Sequence, residues 1–111
     1  EPVPFDWYEE TKAVADAGAF AVVVEGVVEP IAVALTQSVE IPVIGIGASA
    51  QCDGQVLVTD DMLGMFERVP RFVKKYGDIA GMISETAATY AEEVRARTFP
   101  GIEQTYQPKN K

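Results

Sequence analysis

Two short apolar runs constrain the fold of this chain more than any other feature of its sequence. Residues 19–25 read AFAVVVE and residues 42–48 read PVIGIGA, and neither run alternates apolar with polar side chains. Strands of this kind are covered on both faces, as in parallel sheets whose strands are connected by helices. The runs therefore predict an α/β architecture built on a parallel sheet.

Helical patterns and a third strand surround these two runs. The predicted helices cover residues 7–17, 30–38, 70–77 and 78–97, and the third strand covers residues 54–58. Gly18 is a suitable left-handed end for the first helix, and residues 99–111 read as a polar surface tail. Because three parallel strands leave two unpaired edges beside apolar sequence, we expect the chain to be part of a larger sheet.

Charge and composition narrow the classes of partner. The 111 residues contain 9 basic and 17 acidic side chains, a net charge of -8, which repels phosphate backbones and argues against nucleic acid. The clustered cations Arg68, Arg71, Lys74 and Lys75 lie near or within the helix at 70–77 and are most simply its solvated face, with a functional basic patch as the less favoured alternative. The lone Cys52 and the absence of a long apolar run predict a soluble, cytoplasmic protein with no membrane partner.

The stretch GIGASA contains Gly45, Gly47 and Ala50 at the G-x-G-x-x-A spacing of a dinucleotide-binding loop. In such a loop a helix begins at once and directs its N-terminus at the pyrophosphate. Here a turn and another strand follow instead. The glycines are better interpreted as positions where strand, helix and substrate approach closely at the carboxyl end of a strand.

Three further positions carry possible chemistry. Asp60 and Asp61 can be a metal pair, although adjacent residues on a strand point in opposite directions and both can cap the helix that follows. Cys52 lacks a histidine to activate it, because the sequence contains none. Glu25, at the end of the first apolar run, is either a charge at a helix N-terminus or a general base.

Two long stretches closely resemble one enzyme family. Residues 17–27, AGAFAVVVEGV, and residues 41–65, IPVIGIGASAQCDGQVLVTDDMLGM, are similar to the C-terminal part of ketopantoate hydroxymethyltransferases. The stretches PRFVKKYGDI and YAEEVRARTFPG resemble the closing helices of the same family. The likeness runs in order over nearly the whole chain, so it is more specific than any single motif.

The resemblance implies a partial domain, residues 1–111, from the C-terminal portion of a (β/α)8 TIM-type barrel of the phosphoenolpyruvate-mutase kind. The N-terminal half of the barrel, absent from this sequence, would carry the metal ligands and the folate site. The implied reaction belongs to pantothenate biosynthesis. It transfers a hydroxymethyl group from 5,10-methylenetetrahydrofolate to 3-methyl-2-oxobutanoate, giving 2-dehydropantoate, with Mg2+ as cofactor and a homo-oligomer, typically a decamer, as the assembly.

One catalytic residue of the family matches a position of this chain. Glu25, in VVVEGV, corresponds to the proton acceptor, and no metal ligand is expected in this segment. The sequence departs from many members at Asp60, where they have His, and at Val28, where they have Pro. Further departures are Ser49 and Arg97, where they have Gly, and Gln104, where they have His.

Two other functions remain open from the sequence. The first is a different carbon–carbon lyase or mutase of the same barrel type that acts on another 2-oxo acid. The second is a non-catalytic remnant that binds a partner through its exposed strand edges and last helix. In either case we expect the 111 residues alone to be inactive, because three strands cannot enclose a pocket.

Overall fold

The fold is a small parallel sheet with helices packed on one side, seen in a computed structural model that describes residues 5–109. Along that range lie α1 (Trp7–Asp16), β1 (Val22–Glu25), α2 (Glu29–Ser38), β2 (Val43–Ile46), β3 (Gly54–Gln55), α3 (Thr59–Met62), α4 (Ile79–Ala96) and a 3-10 helix (Ile102–Gln104). The strands pair in parallel in the order β1, β2, β3. The predicted α/β class and three parallel strands are confirmed, although all three strands are shorter than expected.

The core lies between the sheet and its two packed helices. Leu35 of α2 and Val43 of β2 are fully buried, and they share one cluster with Val24, Val27, Ala32 and Cys52. α1 contacts both α2 and β1. Burial of apolar surface contributes roughly 25 cal/mol per Å2, so the packing of this core stabilises the sheet against its helices.

α1 begins and ends as its sequence predicts. The Asp6 carboxylate accepts hydrogen bonds from the backbone N–H groups of Tyr8 at 3.0 Å and Glu9 at 3.1 Å, an N-terminal cap. The helix stops before Gly18, whose φ of 100° is the left-handed conformation expected of it.

The start of β2 is held by Asp53. Its carboxylate accepts a hydrogen bond from the Val43 N–H at 2.8 Å, and its own N–H donates to the Val43 carbonyl at 2.9 Å. Because Val43 is completely buried, its N–H has no access to water and depends on this acceptor. Asp53 therefore fixes the point at which β3 joins the sheet.

The prediction of a helix at residues 70–77 is wrong. Residues 65–76 are an irregular segment, which we call the strap, and it contains a single turn in which the Val73 N–H donates to the Pro70 carbonyl at 3.0 Å. The N–H groups of Tyr76 and Gly77 both donate to the Met62 carbonyl at the end of α3, at 2.8 and 3.2 Å. These bonds close the strap on itself and direct the backbone away from a helical path.

The helix predicted at residues 78–97 is confirmed as α4. The Asp78 carboxylate accepts a hydrogen bond from the Gly81 N–H at 3.0 Å at its start, and Arg97 is in the left-handed conformation at its end. No residue of α4 is buried, and the helix packs closely against none of the other helices or strands in residues 5–109. The radius of gyration is 24.9 Å, against about 13 Å for a compact chain of about 100 residues. The apolar face of α4 is therefore free to pack against protein surface outside residues 5–109.

The remaining segments agree with the sequence analysis where the structure describes them. The tail is largely exposed through residue 109, and residues 110 and 111, like residues 1–4, lie outside the described range. Within that range no helix is both long enough and apolar enough to cross a lipid bilayer.

The Asp53 contact gives a first prediction. Asp53→Ala should lower the free energy of unfolding by about 1–3 kcal/mol, because it leaves the buried Val43 N–H without an acceptor. Asp53→Asn keeps an acceptor oxygen of the same reach and should recover most of that loss. Chemical denaturation of the three proteins measures both values, and equal losses in Ala and Asn variants would contradict this account.

Candidate functional site

The candidate site lies at the carboxyl edge of the sheet, where β1 ends at Glu25 and β2 ends at Ile46. Both strands turn away through a glycine in the left-handed conformation, Gly26 with a φ of 63° and Gly47 with a φ of 64°. The Gly26 N–H donates to the Ile46 carbonyl at 2.9 Å and keeps the two ends side by side. Parallel α/β sheets place their ligands at this edge.

The loop after β2 is shaped by Ser49. Its hydroxyl oxygen accepts from the Gln51 N–H at 3.1 Å, and its carbonyl accepts from the Cys52 N–H at 3.2 Å and from the side-chain amide of Gln55. Ser49 itself is buried, with 6% of its surface exposed. The structure thus confirms that β3, and not a helix, follows the glycine loop, which is the geometry that argued against dinucleotide binding.

An open cleft of about 600 Å3 occupies this edge. It lies between the turn after β1 and the loop after β2, and its lining includes Gly26, Glu29, Ser49, Gln55 and Arg71. Its volume falls in the range of small-molecule sites, roughly 300–1,000 Å3. A second cleft of about 360 Å3 adjoins it and includes Leu57, Lys74 and Tyr76 in its lining.

Phe72 of the strap is shared by the two clefts. It lines both of them, and a Cβ atom added to Gly47 would lie 2.3 Å from the Phe72 Cβ and Cγ atoms. The ring therefore sits directly on the end of β2, and only glycine leaves room for it. Buried Val73, next in the chain, helps to hold the strap in place.

Glu25 stands at the carboxyl edge, as expected, but its side chain does not line the large cleft. Burial alternates along β1, so that Val24 faces the core while Val23 and Glu25 are exposed on the opposite face of the sheet. Glu25 also borders a groove along the unpaired edge of β1, together with residues of α1 that include Trp7 and Thr11.

The other candidates, Asp60, Asp61 and Cys52, do not line the groove beside Glu25. Asp60 and Asp61 lie in the first turn of α3, whose N-cap is Val58, so neither serves as the cap residue. Within residues 5–109 no group of three or more His, Cys, Asp or Glu side chains is arranged to hold a metal ion. Cys52 is buried in the core, and its Sγ atom would lie 3.1 Å from a Cβ at Gly45. Position 45 therefore favours glycine, because the Cys52 thiol occupies the space that a larger side chain would need.

Sequence reasoning missed Phe72 and Gln55 as residues of the site, and for Arg71 it favoured a solvated helix face over a functional basic patch. Arg71 and Phe72 were assigned to a helix that does not form, and Gln55 to an ordinary strand position. The available signal was the density of cations in the strap, which holds four basic residues and one acidic residue. That density was interpreted as the solvated face of a helix.

The chain matches a known family over most of its length. The family model described as Ketopantoate hydroxymethyltransferase matches residues 5–102. The 3-methyl-2-oxobutanoate hydroxymethyltransferases of Novosphingobium aromaticivorans and Erythrobacter litoralis are each 78% identical over 100 residues, covering 90% of this chain and 35% of the relative. The enzyme of the same name from Phenylobacterium zucineum is 61% identical over 101 residues, which is 91% of this chain and 37% of that protein. The chain spans about a third of the length of the curated relatives it matches.

The contact between Gly47 and Phe72 gives a second prediction. Gly26→Ala should cost about 1–2 kcal/mol of stability, the cost of a left-handed alanine, because nothing lies within 4 Å of its added Cβ. Gly47→Ala has the same φ penalty and must also displace the Phe72 ring, which adds about 1–3 kcal/mol. Denaturant unfolding of both variants measures the difference.

A double-mutant cycle supplies the control for that difference. In a Phe72→Ala background the extra cost of Gly47→Ala over Gly26→Ala should largely disappear, since the displaced ring is gone. An extra cost that persists in this background would show that Phe72 is not the cause.

Proposed function

The chain belongs to the ketopantoate hydroxymethyltransferase family, and we propose that the protein of which it forms a part transfers a hydroxymethyl group to 3-methyl-2-oxobutanoate. The product is 2-dehydropantoate, an intermediate of pantothenate and coenzyme A biosynthesis in the cytoplasm. The observation that carries this proposal is the ordered match over residues 5–102 together with Glu25 at the carboxyl edge of the sheet.

The complete protein is proposed to be a (β/α)8 barrel of the phosphoenolpyruvate-mutase kind, with this chain as its last part. Two features support a sheet with more strands than the three described. Val23 is 58% exposed on a face with no covering layer in residues 5–109, and the edge of β1 borders an open groove. Additional strands that pair with β1 and curve over this face would bury Val23 and the edge of β1. They would also place Glu25 inside the barrel.

Glu25 is proposed as the proton acceptor. New carbon–carbon bond formation at C3 of 3-methyl-2-oxobutanoate requires that the C3 proton leave, so that its electron pair can attack the methylene carbon of the donor. Water supplies the hydroxyl oxygen, and tetrahydrofolate is the leaving group. A carboxylate held at the end of a strand can accept this proton, provided that C3 lies within hydrogen-bond reach. The backbone bond between Gly26 and Ile46 fixes the position of the Glu25 backbone at the edge.

We propose 5,10-methylenetetrahydrofolate as the one-carbon donor and Mg2+ as the metal cofactor. Among residues 5–109 no three His, Cys, Asp or Glu side chains are grouped so that they could hold a metal ion. The ligands are proposed to come from the part of the relatives that this chain does not cover.

The protein is also proposed to form homo-oligomers, a decamer by family resemblance, through α4. This helix exposes an apolar stripe in which Met82 is 63% and Tyr90 58% exposed, continued by Ile83 and Val94. Isolated apolar side chains are common on surfaces, whereas a continuous stripe along an unpacked helix is typical of an interface. A second copy of the chain is the occupant that this resemblance implies.

The role of Glu25 predicts the effect of one isosteric change. In the full-length protein, Glu25→Gln should lower kcat by about 10^2- to 10^4-fold, because the amide cannot accept the proton. Glu40→Gln, at the opposite edge of the sheet before β2, should leave kcat within about twofold of wild type. Product formation followed by mass spectrometry measures both, and a Glu25→Gln enzyme with near wild-type kcat would refute the assignment.

The incomplete sheet predicts that the 111 residues alone have no transferase activity. Three strands do not enclose a substrate, and the proposed metal ligands lie elsewhere. The purified segment, supplied with oxo acid, folate donor and Mg2+, should give no 2-dehydropantoate above a blank. Turnover by the segment would contradict both the barrel and the placement of the metal ligands.

The same assay on the full-length protein tests the function itself. Release of 2-dehydropantoate supports the proposal. If the protein does not convert this substrate but turns over another 2-oxo acid, identified by product mass, the result would favour a related lyase or mutase.

A further inference from the structure

The residue of β2 that lies beside Glu25 is Ile46. The two strands pair in parallel with Glu25 opposite Ile46, and the Gly26 N–H donates to the Ile46 carbonyl at 2.9 Å. Backbones of neighbouring strands lie about 4.8 Å apart, and side chains of paired residues project from the same face of the sheet. Ile46 is therefore the cross-strand neighbour of the proposed proton acceptor.

Ile46 projects from the face of the sheet opposite the core. Val24 faces the core and pairs with Gly45, so the next pair along both strands, Glu25 and Ile46, faces the other way. Ile46 is only 8% exposed, yet it is not a member of the cluster that includes Leu35. Its side chain is thus held in place by close packing, which gives a ligand a surface of fixed shape.

Ile44 lies on the same face of β2 but reaches in another direction. A Cβ atom added to Gly54 of β3 would lie 3.0 Å from the Ile44 Cδ1 atom. Because β1 and β3 lie on opposite sides of β2, the tip of Ile44 is directed away from Glu25. Ile44 also lies two residues before Ile46, about 6.6 Å along the strand.

The proposed reaction brings apolar groups of the substrate to this place. A proton acceptor must come within about 3 Å of the carbon that loses its proton. In 3-methyl-2-oxobutanoate that carbon, C3, carries two methyl groups bonded directly to it. When C3 lies at the Glu25 carboxylate, a methyl group therefore meets the side chain next to Glu25, and contact with Ile46 removes apolar surface of both from water.

We propose that Ile46 is a specificity-determining residue, which packs against a C3 methyl group and limits the size of the substituents at C3. The inference rests on the proposed function, because it takes Glu25 as the proton acceptor for a branched 2-oxo acid. It uses the register between β1 and β2, which both strands already have in this chain. It does not depend on which residues complete the sheet.

The test compares two branched acids in the full-length protein. They are 3-methyl-2-oxobutanoate and racemic 3-methyl-2-oxopentanoate, in which an ethyl group replaces one methyl group on C3. Exchange of the C3 proton in D2O without folate donor, followed by NMR, gives kcat/KM for each acid. The wild-type protein should favour the smaller acid by about tenfold or more, because one methylene changes kcat/KM by about 10- to 200-fold in a closely packed apolar pocket.

Two matched variants connect this preference to one side chain. Ile46→Val removes the Cδ1 methyl group beside the substrate and should lower the preference by about tenfold, because the ethyl group gains the space. Ile44→Val removes the same group at β3 and should leave the preference within about twofold of wild type. An unchanged preference in Ile46→Val, or an equal drop in both variants, would overturn the proposal. Equal wild-type rates for the two acids would also overturn it, and that comparison needs no variant to fold.

The outcomes separate this inference from the proposed function. If the wild-type protein makes 2-dehydropantoate but Ile46→Val keeps the wild-type preference, only the inference fails. If the preference is lost in Ile46→Val while the wild-type protein, given the folate donor, makes no 2-dehydropantoate, the inference stands and the assigned transfer fails. If the wild-type protein exchanges neither acid, the inference fails together with the role of Glu25.

Discussion

The pairing of two fully apolar strands over a one-sided core is the constraint on which the rest of this structure depends. Val24 of β1 and Val43 of β2 must both be buried, and α2 covers them through Leu35. Parallel pairing then places the carboxyl ends of both strands at one edge. Glu25 and the left-handed Gly47 reach that edge for this reason, so the position of the candidate site follows from the core.

The second organising contact joins the strap to the sheet. Gly47 lacks a Cβ, and Phe72 occupies the space that a Cβ would require. This holds an irregular, basic segment against the end of the central strand, where Phe72 lines both clefts.

The sequence was informative where the physical signal was local. Continuous β-branched runs predicted the buried strands, and Asp78 with Arg97 bounded α4 within one residue at each end. The strap was mispredicted because Pro70, Phe72, Val73 and Tyr76 satisfy a local helical pattern, while long-range bonds to Met62 decide its path. The contact between Gly47 and Phe72 joins distant positions and has no periodic signature, so only the folded chain shows it. The family resemblance identified Glu25 as a candidate. The alternation of burial along β1 in the structure then showed that its side chain lies on the exposed face of the sheet.

The central claim is that Glu25 accepts the C3 proton of 3-methyl-2-oxobutanoate. The most direct measurement is exchange of that proton for deuterium in D2O, followed by NMR, with full-length protein and no folate donor. The account predicts enzyme-dependent exchange that is lost in Glu25→Gln and retained in Glu40→Gln. Exchange at the wild-type rate in Glu25→Gln would contradict it and would assign proton removal to a residue outside this chain.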